Sequence, residues 1–245
     1  MAKDDRRFVL YGVGAAKSGT ATLADVFAWS YRSGHEPESE RFVPLLCDVL
    51  EGRASRSKLR REVRRRDRRL RLEVDAAGFN GAIVGELVEL HPDAWFALTV
   101  RHPVDWLRSI TNHVLARTPV PHWKRLRDLT FGDPRWGGFG PGEEPLQEAG
   151  LYPLDGYLGQ WADRTRTVLG TVPHDRLVVI RTERFAEGVN ELAGRLGIGV
   201  STLDLDSHRN PTAKDFGVVE QLDPALVAAK VEQHCGDLLP RLGLD

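Results

Sequence analysis

GVGAAKSGTATL, residues 12–23, follows the short apolar run Phe8-Val9-Leu10-Tyr11 and decides how the rest of the chain is read. A buried strand over residues 7–13 runs into a glycine-rich turn. A helix over residues 19–32 leaves that turn, with Leu23, Val26, Phe27 and Tyr31 at helical spacing. The first N–H groups of a helix have no partner inside it and lie at the positive end of its dipole, so such a junction binds anions. Lys17 adds a point charge, Thr20 and Thr22 add hydroxyl donors, and Ser18, Gly19 and Ala21 complete the loop. The residue order is unusual for a nucleoside-triphosphate loop, which reads G-x-x-x-x-G-K-[ST]. Lys17-Ser18 is present, but Ala16 stands where the last glycine belongs, and Gly19-Thr20 come after the lysine.

Downstream, helical and strand patterns alternate. Helices are expected over 53–71, 80–91, 104–117, 155–170, 186–197 and 223–242, and strands over 95–101 and 177–182. This alternation predicts one α/β domain over 1–245, three-layered α/β/α with a central, mostly parallel sheet. Ligands of such sheets sit beyond the carboxyl ends of the strands, where the first loop and Arg101 both fall. "SGHEPESERF" reads as a turn leading into a less regular stretch. Residues 118–153, rich in Pro and Gly, form a connection long enough to be functional or mobile. Residues 203–217 are irregular.

Composition narrows the classes. The 245 residues are 41% hydrophobic and 28% charged with formal net charge −1, so a packed core is affordable and no global field favours nucleic acid or membrane. Cys47 and Cys235 lack metal-ligand spacing and read as thiols of a reducing compartment. No apolar leader or span of about 18 residues is present, which predicts a cytoplasmic protein. The arginine-rich run 53–71 reads as one solvated helix with Leu59, Val63 and Leu70 inward. Glu62 and Asp67 dilute its charge, and no aromatic side chain is interleaved for base stacking.

A second motif lies in "TVRHPVDWLRS". Arg101 ends an apolar strand, Pro103 opens a helix, and Ser109 follows eight residues after the arginine, so both can reach one phosphate. With "AAKSGTAT", this stretch resembles the sulfotransferases that use 3′-phosphoadenosine 5′-phosphosulfate (PAPS), in a bacterial-type form. Their first loop reads [PR]-[KR]-[ST]-G-T-T, and their later R-x-P element carries a serine eight residues on. "HPDAWFALTVRHPVDWLRSI" is similar to the subgroup pattern P-D-A-K-x-I-L-T-V-R-D-P-x-x-W-x-x-S. Ala16 and Ala21 depart from the first motif, and the likeness fades beyond residue 117.

The resemblance implies that the loop, Lys17 to Thr22, holds the 5′-phosphosulfate and that Arg101 and Ser109 hold the 3′-phosphate. It implies a small hydroxylated or amino acceptor, release of 3′-phosphoadenosine 5′-phosphate (PAP), and no metal. A late basic loop closes the nucleotide site in such enzymes. Arg209, Asn210 and Lys214 in "HRNPTAKDFG" stand in that place, without the R-K-G-x-x-G pattern. Transfer to an acceptor hydroxyl calls for a general base. His35 and Glu36 come first, Asp75 next, then Glu86. Acceptor specificity is expected from residues 36–60 and 118–153, including Trp123, Trp136, Phe139 and Tyr152. Two rival readings are an ATP- and magnesium-dependent kinase and a non-catalytic nucleotide- or nucleic-acid-binding module.

Overall fold

The computed structural model describes residues 5–118, 120–206 and 214–244. Five short strands form its sheet: β1 (Leu10–Gly12), β2 (Ser33–His35), β3 (Val74–Ala76), β4 (Trp95–Val100) and β5 (Leu177–Arg181). They are ordered β2-β3-β1-β4-β5, and every pairing is parallel. Along each strand the side chains alternate between two apolar clusters. Leu10, Val74, Ala97, Val178 and Ile180 face one, whereas Tyr11, Phe96, Leu98 and Val100 face the other. Strands covered on both faces read as continuous apolar runs, which is why β4 and β5 were legible.

Helices cover both faces. On one lie α1 (Thr20–Ala28) and, eight helices later in the chain, a helix over Phe185–Leu196, contributing Leu23, Val26, Phe27, Val189 and Leu192. The other face carries α2 (Ser39–Leu50), α3 (Arg56–Leu70), α4 (Val84–Leu90), α5 (Pro103–Leu115), α6 (Pro121–Thr130), α7 (Glu144–Glu148) and α8 (Leu154–Thr171). The Phe185–Leu196 helix is thus α9, followed by α10 (Pro224–Cys235) and α11 (Leu239–Leu242). The expected three-layer α/β/α arrangement is observed.

Several boundaries differ from the sequence reading. The stretch after residue 36 holds α2, whose Phe42, Val43, Leu46 and Cys47 are buried, with Pro44 accommodated inside the helix. Residues 118–153 include α6 and α7, packed through Leu126 and Leu146. The last helix is two, α10 and α11, separated by residues 236–238. The basic run is α3, capped by Ser55, with Leu59 and Val63 buried and Leu70 half-buried. Many of its charges are matched: Arg56 to Glu86, Arg60 to Glu89, Arg66 to Asp75, and Arg69 to Glu38 and Glu62.

Candidate active site

β1 is central, with β3 on one side and β4 on the other, so chain connections diverge at its carboxyl end. Such a divergence opens a crevice. Register then brings particular residues to it. Gly12, Ala76 and His35 occupy one row across β1, β3 and β2. The residues just beyond that row therefore converge: the first loop after β1, Gly78 after β3, and Glu36 after β2. Glu36 N–H donates to Ala76 O (3.1 Å), and Gly78 N–H donates to Glu36 Oε1 (3.3 Å).

The loop is held from several sides. Val13 N–H donates to Ala97 O of β4 (2.9 Å). Trp106, buried in α5, donates Nε1–H to Ala16 O (2.8 Å). A Cβ at Gly14 would overlap the Thr99 hydroxyl and carbonyl, so only glycine fits there. Lys17 and Gly19 have left-handed backbone, φ 68 and 102. The chain thereby turns into α1, whose first N–H groups face the crevice. The Ser18 side chain turns inward, with Oγ donating to Ala15 O (2.7 Å) and bonded to Thr99 Oγ1 (3.0 Å).

A cavity of about 600 Å³ occupies the crevice. Of the residues singled out in the sequence, Lys17, Gly19, Thr20, Ala21, Thr22, His35, Glu36, Arg101 and Ser109 line it, as does Trp123. His35 Nε2 lies 3.4 Å from Thr20 Oγ1 and 4.0 Å from Glu36 Oε1. Burial pushes the Glu36 carboxyl up, against opposing pulls from the Gly78 N–H and Arg117. Burial lowers Lys17, and neighbouring Arg117 and Arg101 lower it further.

Other expected residues lie elsewhere. Asp75 is not in the cavity: it is one residue short of the β3 terminus, and Arg66 clamps it in a buried ion pair. Glu86 is likewise buried on α4 and pairs with Arg56 at 2.5 Å. Ser18 faces the core rather than the cavity. Lys214 is exposed, its ammonium 4.6 Å from the Phe216 ring. Arg209 and Asn210 fall outside the described residues. Trp136 donates to Thr130 O, and Tyr152 OH to Asp128, both away from the lining.

The sequence reading missed four titratable lining residues: His113 and Arg117 beyond Ser109, Arg127 on α6, and Arg164 on α8. Ser109, His113 and Arg117 recur every four residues, the spacing of one helical face. That signal was present in the sequence. Burial and the charges of Lys17, Arg117 and Arg127 depress His113 to about 4, so the imidazole is neutral at physiological pH. Burial alone lowers Arg164 to about 10. Among the described residues, no cluster of three His, Cys, Asp or Glu side chains suits a metal ion, and no helix is long and apolar enough to cross a membrane.

A family model described as "Sulfotransferase domain" matches residues 10–204. No curated protein matches the chain. Among solved structures, the crystal structure of a sulfotransferase from Alicyclobacillus acidocaldarius is similar in fold, with TM-score 0.52 and 18% sequence identity. The likeness covers 97% of this chain and 96% of that one.

Proposed function

Because this chain belongs to the sulfotransferase family, we propose that it transfers a sulfuryl group from PAPS to a hydroxyl of a small acceptor. One observation carries the reading. A single cavity is lined by Lys17, the start of α1, Arg101 and Ser109, and also by one half-buried carboxylate among the described residues, Glu36. The cations and free N–H groups suit a donor bearing both a 5′-phosphosulfate and a 3′-phosphate. Thr20 and Thr22 supply hydroxyls at the helix start, where the dipole favours anions.

In the proposed reaction the acceptor oxygen attacks sulfur in line with the departing 5′-phosphate. An O–S bond forms, the S–O bond to the phosphate breaks, and its electron pair stays on the phosphate oxygen. Glu36 takes the acceptor proton, with His35 beside it. Lys17 neutralises charge growing on the leaving oxygen, which makes its contribution larger in the transition state than in the ground state. The inward Ser18 hydroxyl weighs against a kinase, in which the residue after the loop lysine serves magnesium.

Calorimetry tests the donor. PAP should bind, ATP with magnesium should bind far more weakly, and turnover should persist in excess EDTA. Arg101→Ala should weaken PAP by roughly ten- to hundredfold, the loss of one charged hydrogen-bonding partner. It should also erase the preference for PAPS over adenosine 5′-phosphosulfate, which lacks the 3′-phosphate. Equal wild-type affinity for those two compounds would reject the donor assignment.

A further inference from the structure

The cavity contains more positive charge than the phosphate motifs account for. Besides Lys17 and Arg101, it is lined by Arg117, by Arg127 on α6 and by Arg164 on α8, against the single carboxylate Glu36. Among the described residues no carboxylate forms an ion pair with any of these three arginines. Their surroundings differ. Arg164 donates Nη1–H to Gly78 O and so holds the turn beside Glu36. Arg117 is close enough to perturb both Lys17 and Glu36, which puts it next to the reacting groups.

Arg127 lies beside the Tyr152 hydroxyl and meets no carboxylate ion-pair partner among the described residues. It follows Trp123 by one helical turn, so the two share a face of α6. Its Nε is buried without a hydrogen-bond partner. The adjacent Asp128 is already engaged by Lys124 Nζ (2.8 Å) and Tyr152 OH (2.7 Å). The lining of the same cavity includes the apolar Trp123, Leu126, Phe131, Ile110 and Val114, together with His113 and Thr130. An arginine donor left unmet among apolar side chains is unfavourable, and a ligand oxyanion relieves it with a strong charge-assisted bond.

We propose that the acceptor is a hydroxy acid: an apolar or aromatic body with an oxyanion substituent, remote from the nucleophilic hydroxyl, seated on Arg127. This rests on the sulfuryl-transfer reading for the position of the hydroxyl, and on Arg127 and its apolar surroundings for the anion. A neutral alcohol entering the same cavity would leave the buried Arg127 Nε still unmet. Selectivity against it follows from that cost, because a site built around a polar group rejects analogues that fail to meet it.

The test compares pairs of probes on the protein saturated with PAP. 4-Hydroxybenzoate, 4-hydroxyphenylacetate and 3-(4-hydroxyphenyl)propionate are each titrated against the corresponding amide, so that the oxyanion is replaced by a neutral group of nearly the same shape. At least one acid should bind tenfold or more tightly than its amide. Arg127→Gln should abolish that difference and leave PAP affinity unchanged, and Arg127→Lys should keep part of it. 4-Hydroxyphenyl sulfate and 4-hydroxyphenyl phosphate then distinguish which oxyanion the site prefers. The proposal is wrong if no acid outbinds its amide or if the preference survives in Arg127→Gln. It is also wrong if that variant loses PAP as strongly as it loses the acid, since Arg127 would then belong to the nucleotide site. Failure of PAP to bind at all defeats the donor assignment instead, and the acid–amide comparison can still be read on nucleotide-free protein.

Discussion

Glu36 is the residue in which an unusual backbone and the proposed base coincide. Its φ of 51 is uncommon for a side chain of this size. The turn is fixed by its own bond to Ala76 and by the Gly78 bond to its carboxylate. A base must be ionised to accept a proton, and burial raises the pH at which Glu36 ionises. Activity should therefore fall as pH drops, with the acidic limb of the pH–rate profile above the usual carboxylate range. Glu36→Gln should slow single-turnover transfer by about 10²–10⁴-fold, remove that limb and leave PAP affinity nearly unchanged. Wild-type transfer by this variant would shift the role to His35. At this scale Lys17, Arg101 and Ser109 were legible because each sits at a fixed offset from a strand end. Asp75 misled because it stands one residue too early, below the rim, where Arg66 covers it. Arg127 and Arg164 were hidden because sequence does not say which face of α6 or α8 meets the cavity.

Elements were legible in proportion to their length and burial. β4, α5, α8 and α9 carry long periodic patterns and were read within a few residues. β2 and β3 have three residues each, too few for alternation to register. Helix α6 was concealed by its surroundings, since Pro and Gly on both sides of it suggested an unstructured connection. The junction of β1, loop and α1 was plain, yet the reason for one of its glycines was not. Gly14 is required by Thr99 on the neighbouring β4, a contact no local pattern reveals. Gly14→Ala forces the loop or the end of β4 to move, at a cost of about 1–3 kcal/mol. Chemical denaturation should show that loss, and calorimetry should show PAP weakened at the same time. Adding Thr99→Ala should not restore binding, because the Thr99 carbonyl is in the way as well as the hydroxyl. Restoration would mean that the backbone there yields easily.

At the scale of the whole molecule, a formal net charge of −1 conceals a strongly uneven distribution. The basic α3 is threaded with ion pairs, while among the described residues Arg117, Arg127 and Arg164 of the cavity lining form none. The sheet is uneven too. β1 is hydrogen-bonded on both sides, whereas β2 is an edge strand of three residues bonded only to β3. Yet β2 is the strand that delivers His35 and Glu36. The proposed chemistry is thus suspended from an edge of a scaffold whose centre is hydrogen-bonded on both sides, and edge segments open at lower free energy than cores. Amide hydrogens of His35 and Glu36 should exchange faster than those of Tyr11 or Leu98. On gradual warming, catalytic activity should disappear before the far-ultraviolet signal of the helices. Loss of both together would mean that β2 is as firmly held as β1. If the edge does open first, an enzyme that still looks folded can already be inactive, and cooling alone should bring the activity back.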